Sequence, residues 1–143
     1  MGPPRMSVQR PKLTKPEYEA LAALRYALRQ FLRFSEAAAQ ATGLTPQQHQ
    51  ALLAIKGFPG PAPITIGELA ERLQIRHHSA VGLVDRLVSQ KLIARKPSTK
   101  DRRQVYIQLG RHGEAVLERL SSVHRLQLRR AGPKIAALLK RLS

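Results

Sequence analysis

Residues Ile64–Leu109, ITIGELAERLQIRHHSAVGLVDRLVSQKLIARKPSTKDRRQVYIQL, change hydrophobic period several times within one run. Thr65 followed three residues later by Glu68 is a capping box, so a helix opens there. Ile66, Leu69, Ala70 and Leu73 recur at helical spacing on one face, and the pattern stops near Gln74. A second helix is predicted after Ile75, with Ala80, Val81, Val84, Leu87 and Val88 facing inward. Its other face carries His77, His78, Ser79, Gly82, Arg86 and Ser89, small, polar and cationic side chains among which Gly82 would admit a close backbone.

Downstream, Ile93-Ala94-Arg95-Lys96 leads into Pro97-Ser98-Thr99-Lys100-Asp101, a turn-forming cluster. Val105, Ile107 and Leu109 then alternate with Gln104, Tyr106 and Gln108, the period of a strand. A β-hairpin is therefore predicted directly after the second helix, with Lys100, Arg102 and Arg103 at or near its tip. Asp101 beside two arginines reads as a carboxylate that orients a guanidinium, which then loses less entropy on binding.

An α-helix fits the major groove, where base edges present distinct donors and acceptors. In a helix-turn-helix the first residues of the second helix reach those edges. His78, Ser79 and Arg86 can all donate to bases or phosphates. A narrow minor groove attracts an inserted arginine, which suits the hairpin tip. Taken alone, the helix pair is equally an ordinary unit with a solvated face. The basic hairpin beside it shifts the reading towards DNA.

The order helix, helix, basic hairpin, helix resembles the winged helix-turn-helix of the MarR (multiple antibiotic resistance regulator) family. The residues that carry the likeness are ELAERL (68–73), LVDRL (83–87), LIAR (92–95) and, most specific, DRR (101–103), with Leu109 and Gly113 in an L-x-x-x-G frame. Two positions depart from the family pattern. Lys91 stands where a glycine of positive φ is common, and Gly110 stands where a threonine caps the last long helix.

That resemblance implies a mainly α fold (α+β), a winged helix-turn-helix framed by long N- and C-terminal dimerisation helices. The expected organisation is a flexible basic arm (1–15), supporting and dimerising helices (16–57), the DNA-binding region (63–109) and C-terminal dimerisation helices (110–143). The candidate DNA-contact set is Arg76, His77, His78, Ser79, Gly82, Leu83, Arg86, Arg95, Lys100, Asp101, Arg102 and Arg103. The implied partners are double-stranded DNA bearing a pseudo-palindromic operator, a second copy of the chain, and a small aromatic or anionic effector. Tyr26, Arg29 and His49 are the candidate effector residues.

The rest of the chain fits this frame. Its 143 residues allow one domain with a small core, and the formal charge of +16 favours polyanions. Charge alone does not separate DNA, RNA and anionic lipid. Absence of cysteine excludes disulfides and thiol redox sensing and suits a cytoplasmic protein, nucleoid-associated when on DNA. No apolar run is long enough to span a bilayer, and the N-terminus lacks a secretory apolar region.

Pro16-Glu17 starts a long helix predicted to reach Ala41, with Leu21, Leu24, Leu28, Phe31, Leu32 and Ser35 along one stripe. Thr45-Pro46 caps the next helix, through Ile55, with Leu52, Leu53 and Ile55 inward. Arg111 to Arg130 reads as a long helix that Gly132-Pro133 breaks, followed by a short amphipathic tail helix. Its apolar surplus predicts a symmetric dimer rather than a self-contained monomeric bundle.

No catalytic constellation is present: no cysteine nucleophile, glycine-rich phosphate loop or HExxH. His77 and His78 point about 100° apart on a helix and cannot share one metal in the usual way. His49, His112 and His124 read as isolated surface or packing residues, and no cofactor is expected. The competing readings are nonspecific architectural nucleic-acid binding and a winged helix used as a protein-interaction module.

Overall fold

The computed structural model describes residues 2–4, 11–101 and 103–143. Arg102 and the arm's Arg5 and Arg10 lie outside the described residues. In chain order the elements are α1 (Lys15–Ala41), α2 (Pro46–Lys56), β1 (Ile64–Thr65), α3 (Ile66–Leu73), α4 (His77–Ser89), β2 (Ile93–Pro97), β3 (Val105–Leu109) and α5 (Arg111–Leu142).

Three of the helices open on a capping box, in which a threonine hydroxyl and a side chain three residues on satisfy the first free amides. The pairs are Thr14 with Glu17, Thr45 with Gln48, and Thr65 with Glu68. α3 ends where Gln74 takes a left-handed conformation at φ 55°. α4 has no side-chain cap on Arg76, and Gly110 caps α5 from extended backbone. Lys91 sits at φ 60°, the left-handed non-glycine position expected after α4. Such a backbone costs roughly 1–2 kcal/mol.

The three strands form one antiparallel sheet in the order β1-β3-β2, with Ile64 opposite Ile107 and Ile93 opposite Leu109. α2, α3 and α4 each pack against a strand of that sheet. One core joins the layers: Leu52, Ile64, Leu69, Leu83, Leu87, Ile107 and Leu120 are almost wholly buried. Helix, turn, helix and hairpin on one core make a winged helix-turn-helix.

A tight joint fixes the last helix to the wing. The amide of Gly110 donates to the carbonyl of Leu92 at 2.9 Å. A Cβ on Gly113 would overlap that same carbonyl, so the L-x-x-x-G frame has a steric reason. From this joint α5 runs beside α1, and Arg141 donates back to the Pro16 carbonyl at 3.3 Å.

Several expectations are corrected. α5 is continuous across Gly132-Pro133, and no separate tail helix forms. Proline removes one helical hydrogen bond and crowds the carbonyl four residues back, but Pro133 is exposed, where water can serve that carbonyl. Leu53 is exposed instead of inward. In α4 the buried arc is Ala80, Leu83, Val84 and Leu87, while Val81 and Val88 are half-buried. The helix is thus rotated towards Leu83 from the expected face.

Large apolar side chains remain exposed along both long helices. They include Tyr18, Leu21, Leu28 and Leu32 on α1, and Val123, Leu126, Leu128 and Leu139 on α5. No described helix is long and apolar enough to cross a membrane.

Candidate nucleic-acid interface

The inward arc of α4 leaves His78, Ser79, Asp85, Arg86 and Ser89 outside, with Gly82 half-buried among them. Arg76 and His77 are exposed at the helix start. Leu83, one of the expected contact residues, is 1% exposed and belongs to the core. The correction follows from helical spacing: Leu83 lies three residues after Ala80 and four before Leu87, on the buried arc. Nothing but the Arg86 guanidinium, at 3.6 Å, would meet a Cβ on Gly82. No backbone of the described residues approaches it, contrary to expectation.

The wing is ordered by its own polar groups. The Ser98 hydroxyl accepts from the amides of Lys100 and Asp101, both at 3.2 Å. The Asp101 carboxylate accepts from the Arg103 amide at 3.0 Å. Asp101 therefore shapes the backbone of the turn, an Asx-type contact, and among the described residues it pairs with no guanidinium. Lys100 and Arg103 remain exposed.

Arg95, on β2, forms an ion pair with Asp85 of α4. That pair ties the wing's first strand to the outer face of the second helix. Sequence reasoning missed Asp85 because a cross-element ion pair leaves no local pattern. A second link it missed is Gln48 of α2, buried, donating to Gln90 at the C-terminal end of α4 at 3.2 Å.

His77 from α4 and Arg103 from the wing line one cleft of about 290 Å³, with Thr65, Ile66 and Gln104. Residues distant in sequence thus meet between helix start and wing. The cleft supplies donors and cations, and no acidic side chain lines it. Such a surface can hold phosphate oxygens and base edges.

The three expected effector residues do not come together. A cavity of about 450 Å³ lies between α1, α2 and α5, lined by Phe31, His49, Leu53, His124, Arg125 and Arg129 among others. His49 is among its walls, whereas Tyr26 and Arg29 are exposed on α1 and do not line it. His49 and His124 are not isolated either: their ring centroids are 4.8 Å apart. Burial, and then the neighbouring His124, lower the pKa of His49 from its ordinary value. Among the described residues no group of three or more potential ligands could hold a metal.

A helix-turn-helix with a basic wing defines a winged-helix protein of the nucleic-acid-binding class. Residues 42–104 match the sequence model of the MarR family. The transcriptional repressor MdtR of Bacillus subtilis is 33% identical over 76 residues, covering 53% of this chain. The chain spans about half the length of that curated relative (47%). The multiple antibiotic-resistance repressor of Listeria monocytogenes is 26% identical, with a TM-score of 0.67, over 90% of this chain and 98% of that one. A mutant of S. aureus MepR, solved bound to an oligodeoxyribonucleotide, shares the fold at 19% identity and TM-score 0.66, over 92% and 96% of the chains. Over residues 42–104 the chain is similar to the MarR family, and its fold is the one these regulators share.

Proposed function

We propose that the chain is a homodimeric, sequence-specific DNA-binding transcription regulator that acts as a repressor and not as an enzyme. The observation that carries this reading is the shared cleft of His77 and Arg103, flanked by the exposed His78, Ser79 and Arg86. With the first residues of α4 in the major groove, the wing beside them would reach the neighbouring minor groove. Lys100, Arg102 and Arg103 would serve there, and Arg76 and Arg95 would meet phosphates. MepR, a protein of the same fold, was solved bound to an oligodeoxyribonucleotide, which supports DNA as the partner.

The apolar rows on α1 and α5 support a two-fold dimer built from both long helices. Contiguous exposed apolar surface of this kind marks an interaction site. A dimer would present two copies of α4 to half-sites about one helical turn apart, roughly 34–36 Å. The cavity between α1, α2 and α5 supports relief by a small aromatic or anionic effector, with Phe31 for a ring and Arg125 and Arg129 for a negative charge.

The test is selection of duplexes from a random pool by the purified chain, followed by competition with unrelated DNA at physiological salt. A pseudo-palindromic site preferred by about 10³-fold or more is expected. Equal affinity for all duplexes would instead establish the nonspecific architectural role. Undetectable binding at low salt would leave the protein-interaction reading.

A further inference from the structure

We propose that the contact between His49 and His124 is an acid-sensitive latch that fastens the DNA-reading half of the molecule to its two long helices.

His124 is held from both sides. Its Nδ1 is 2.6 Å from the Leu120 carbonyl, which can only accept, so Nδ1 carries the proton. Its Nε2 lies 2.8 Å from the Ser35 hydroxyl and in the neutral ring accepts from it. Phe31 and Phe34 meet the same ring edge-on, at 5.9 and 5.4 Å between centroids. His124 is therefore a fixed post between α5 and α1.

His49 leans on that post from α2, tilted 44° to it. It is 2% exposed, and its buried Nδ1 has no hydrogen-bond partner. A neutral Nδ1 lone pair tolerates this. An N–H⁺ there has no acceptor, and an unpaired charge in a buried site is costly.

Burial and then the neighbouring His124 oppose that proton. α5 contributes His124, Arg125 and Arg129 to the surroundings, and neither arginine pairs with a carboxylate among the described residues. α1 contributes Phe31, Phe34 and Ser35, which do not titrate in this range. α2 adds Leu53. Its only ion pair among the described residues is Lys56 with Glu114 of α5, at the far end of the helix. Protonation is therefore relieved by moving α2 away from His124 and towards water.

Such a movement has a route to the reader. The residue before His49 is Gln48, whose amide donates to Gln90 at the end of α4. Displacing α2 pulls on the C-terminal end of the second helix. His77 and His78, exposed at the start of α4, are common to wild type and to a variant at His49.

The deciding measurement is affinity for a duplex selected by the protein itself, at constant ionic strength, from about pH 7.5 to about pH 5.5. His49→Phe removes the titrating group and keeps a ring, and it retains His77 and His78, so the difference between its pH curve and the wild type's isolates the latch. The expected result is that wild type loses about fivefold more affinity than His49→Phe across that range. Parallel curves overturn the proposal.

A second readout needs no DNA and no variant. Amide hydrogen exchange, corrected for the intrinsic effect of pH, should show α2 losing protection as the His49 ring titrates by NMR, while β3 keeps its own. Unchanged protection of α2 through that titration also overturns the proposal. The affinity arm rests on the DNA-binding reading and the exchange arm does not. A protein that binds no duplex at any pH would defeat that reading and leave the latch to be judged by exchange.

Discussion

Gly113 shows how a single residue can be fixed by what surrounds it. A methyl group there would collide with the Leu92 carbonyl, which also accepts from Gly110. Gly113→Ala is therefore expected to lower unfolding free energy by about 1–3 kcal/mol, measured by urea denaturation. An unchanged midpoint would mean the joint is slack. Arg103 is a contrasting case, since its exposed side chain contributes nothing visible to the core. Arg103→Ala should weaken operator binding by about 1–3 kcal/mol with an unaltered circular dichroism spectrum. His49 adds a pH dependence to stability. Its folded pKa lies below the usual 6.5, so the unfolded chain binds more protons as pH falls past that value. Stability from this group is complete above about pH 6.5 and declines below it. Thermal melts of wild type and His49→Phe should diverge on acidification, wild type falling faster; matching slopes would contradict the assignment.

Among the elements, those with strong periodicity or caps were legible beforehand. Thr65 with Glu68, the run Ile66 to Leu73, and the alternation from Gln104 to Leu109 each specify local structure by short-range chemistry, and the reader follows from them. The rotation of α4 was not legible. Spacing from Ala80 and Leu87 puts Leu83 on the buried arc, but only the packing of α4 against α3 and β2 leaves Val81 and Val88 at its half-buried edge. The shared cleft of His77 and Arg103 and the pairing of His49 with His124 depend on tertiary placement that no spacing encodes. Pro133 illustrates the limit of local rules, because α5 tolerates it on an exposed surface. Pro133→Ala restores an amide donor and should raise stability by about 1–3 kcal/mol. A lower melting temperature in that variant would imply that the proline sets a needed bend.

At the scale of the whole molecule, charge and apolar surface divide the labour. The net charge of +16 supplies attraction to polyanions, while the exposed leucines of α1 and α5 form the face proposed for a second copy. Leu21 and Leu28 lie seven residues apart on α1 and both are exposed in the single chain. Converting both to glutamate should leave the folded chain intact but bury unpaired charge in any dimer that uses this face. Sedimentation equilibrium is expected to register a dimer for wild type, as proposed, and monomers for Leu21→Glu/Leu28→Glu. A dimer of unchanged strength would move the interface elsewhere.

The unbroken α5 has a mechanical corollary. At 32 residues it is a rod of about 48 Å, anchored where Gly110 and Gly113 press on Leu92. Tilting such a rod by roughly 5° carries its far tip through roughly 4 Å, more than the rise of one base pair. In a pair of chains joined near those tips, a lever of this length turns a sub-ångström adjustment at the base into a phasing error along the duplex.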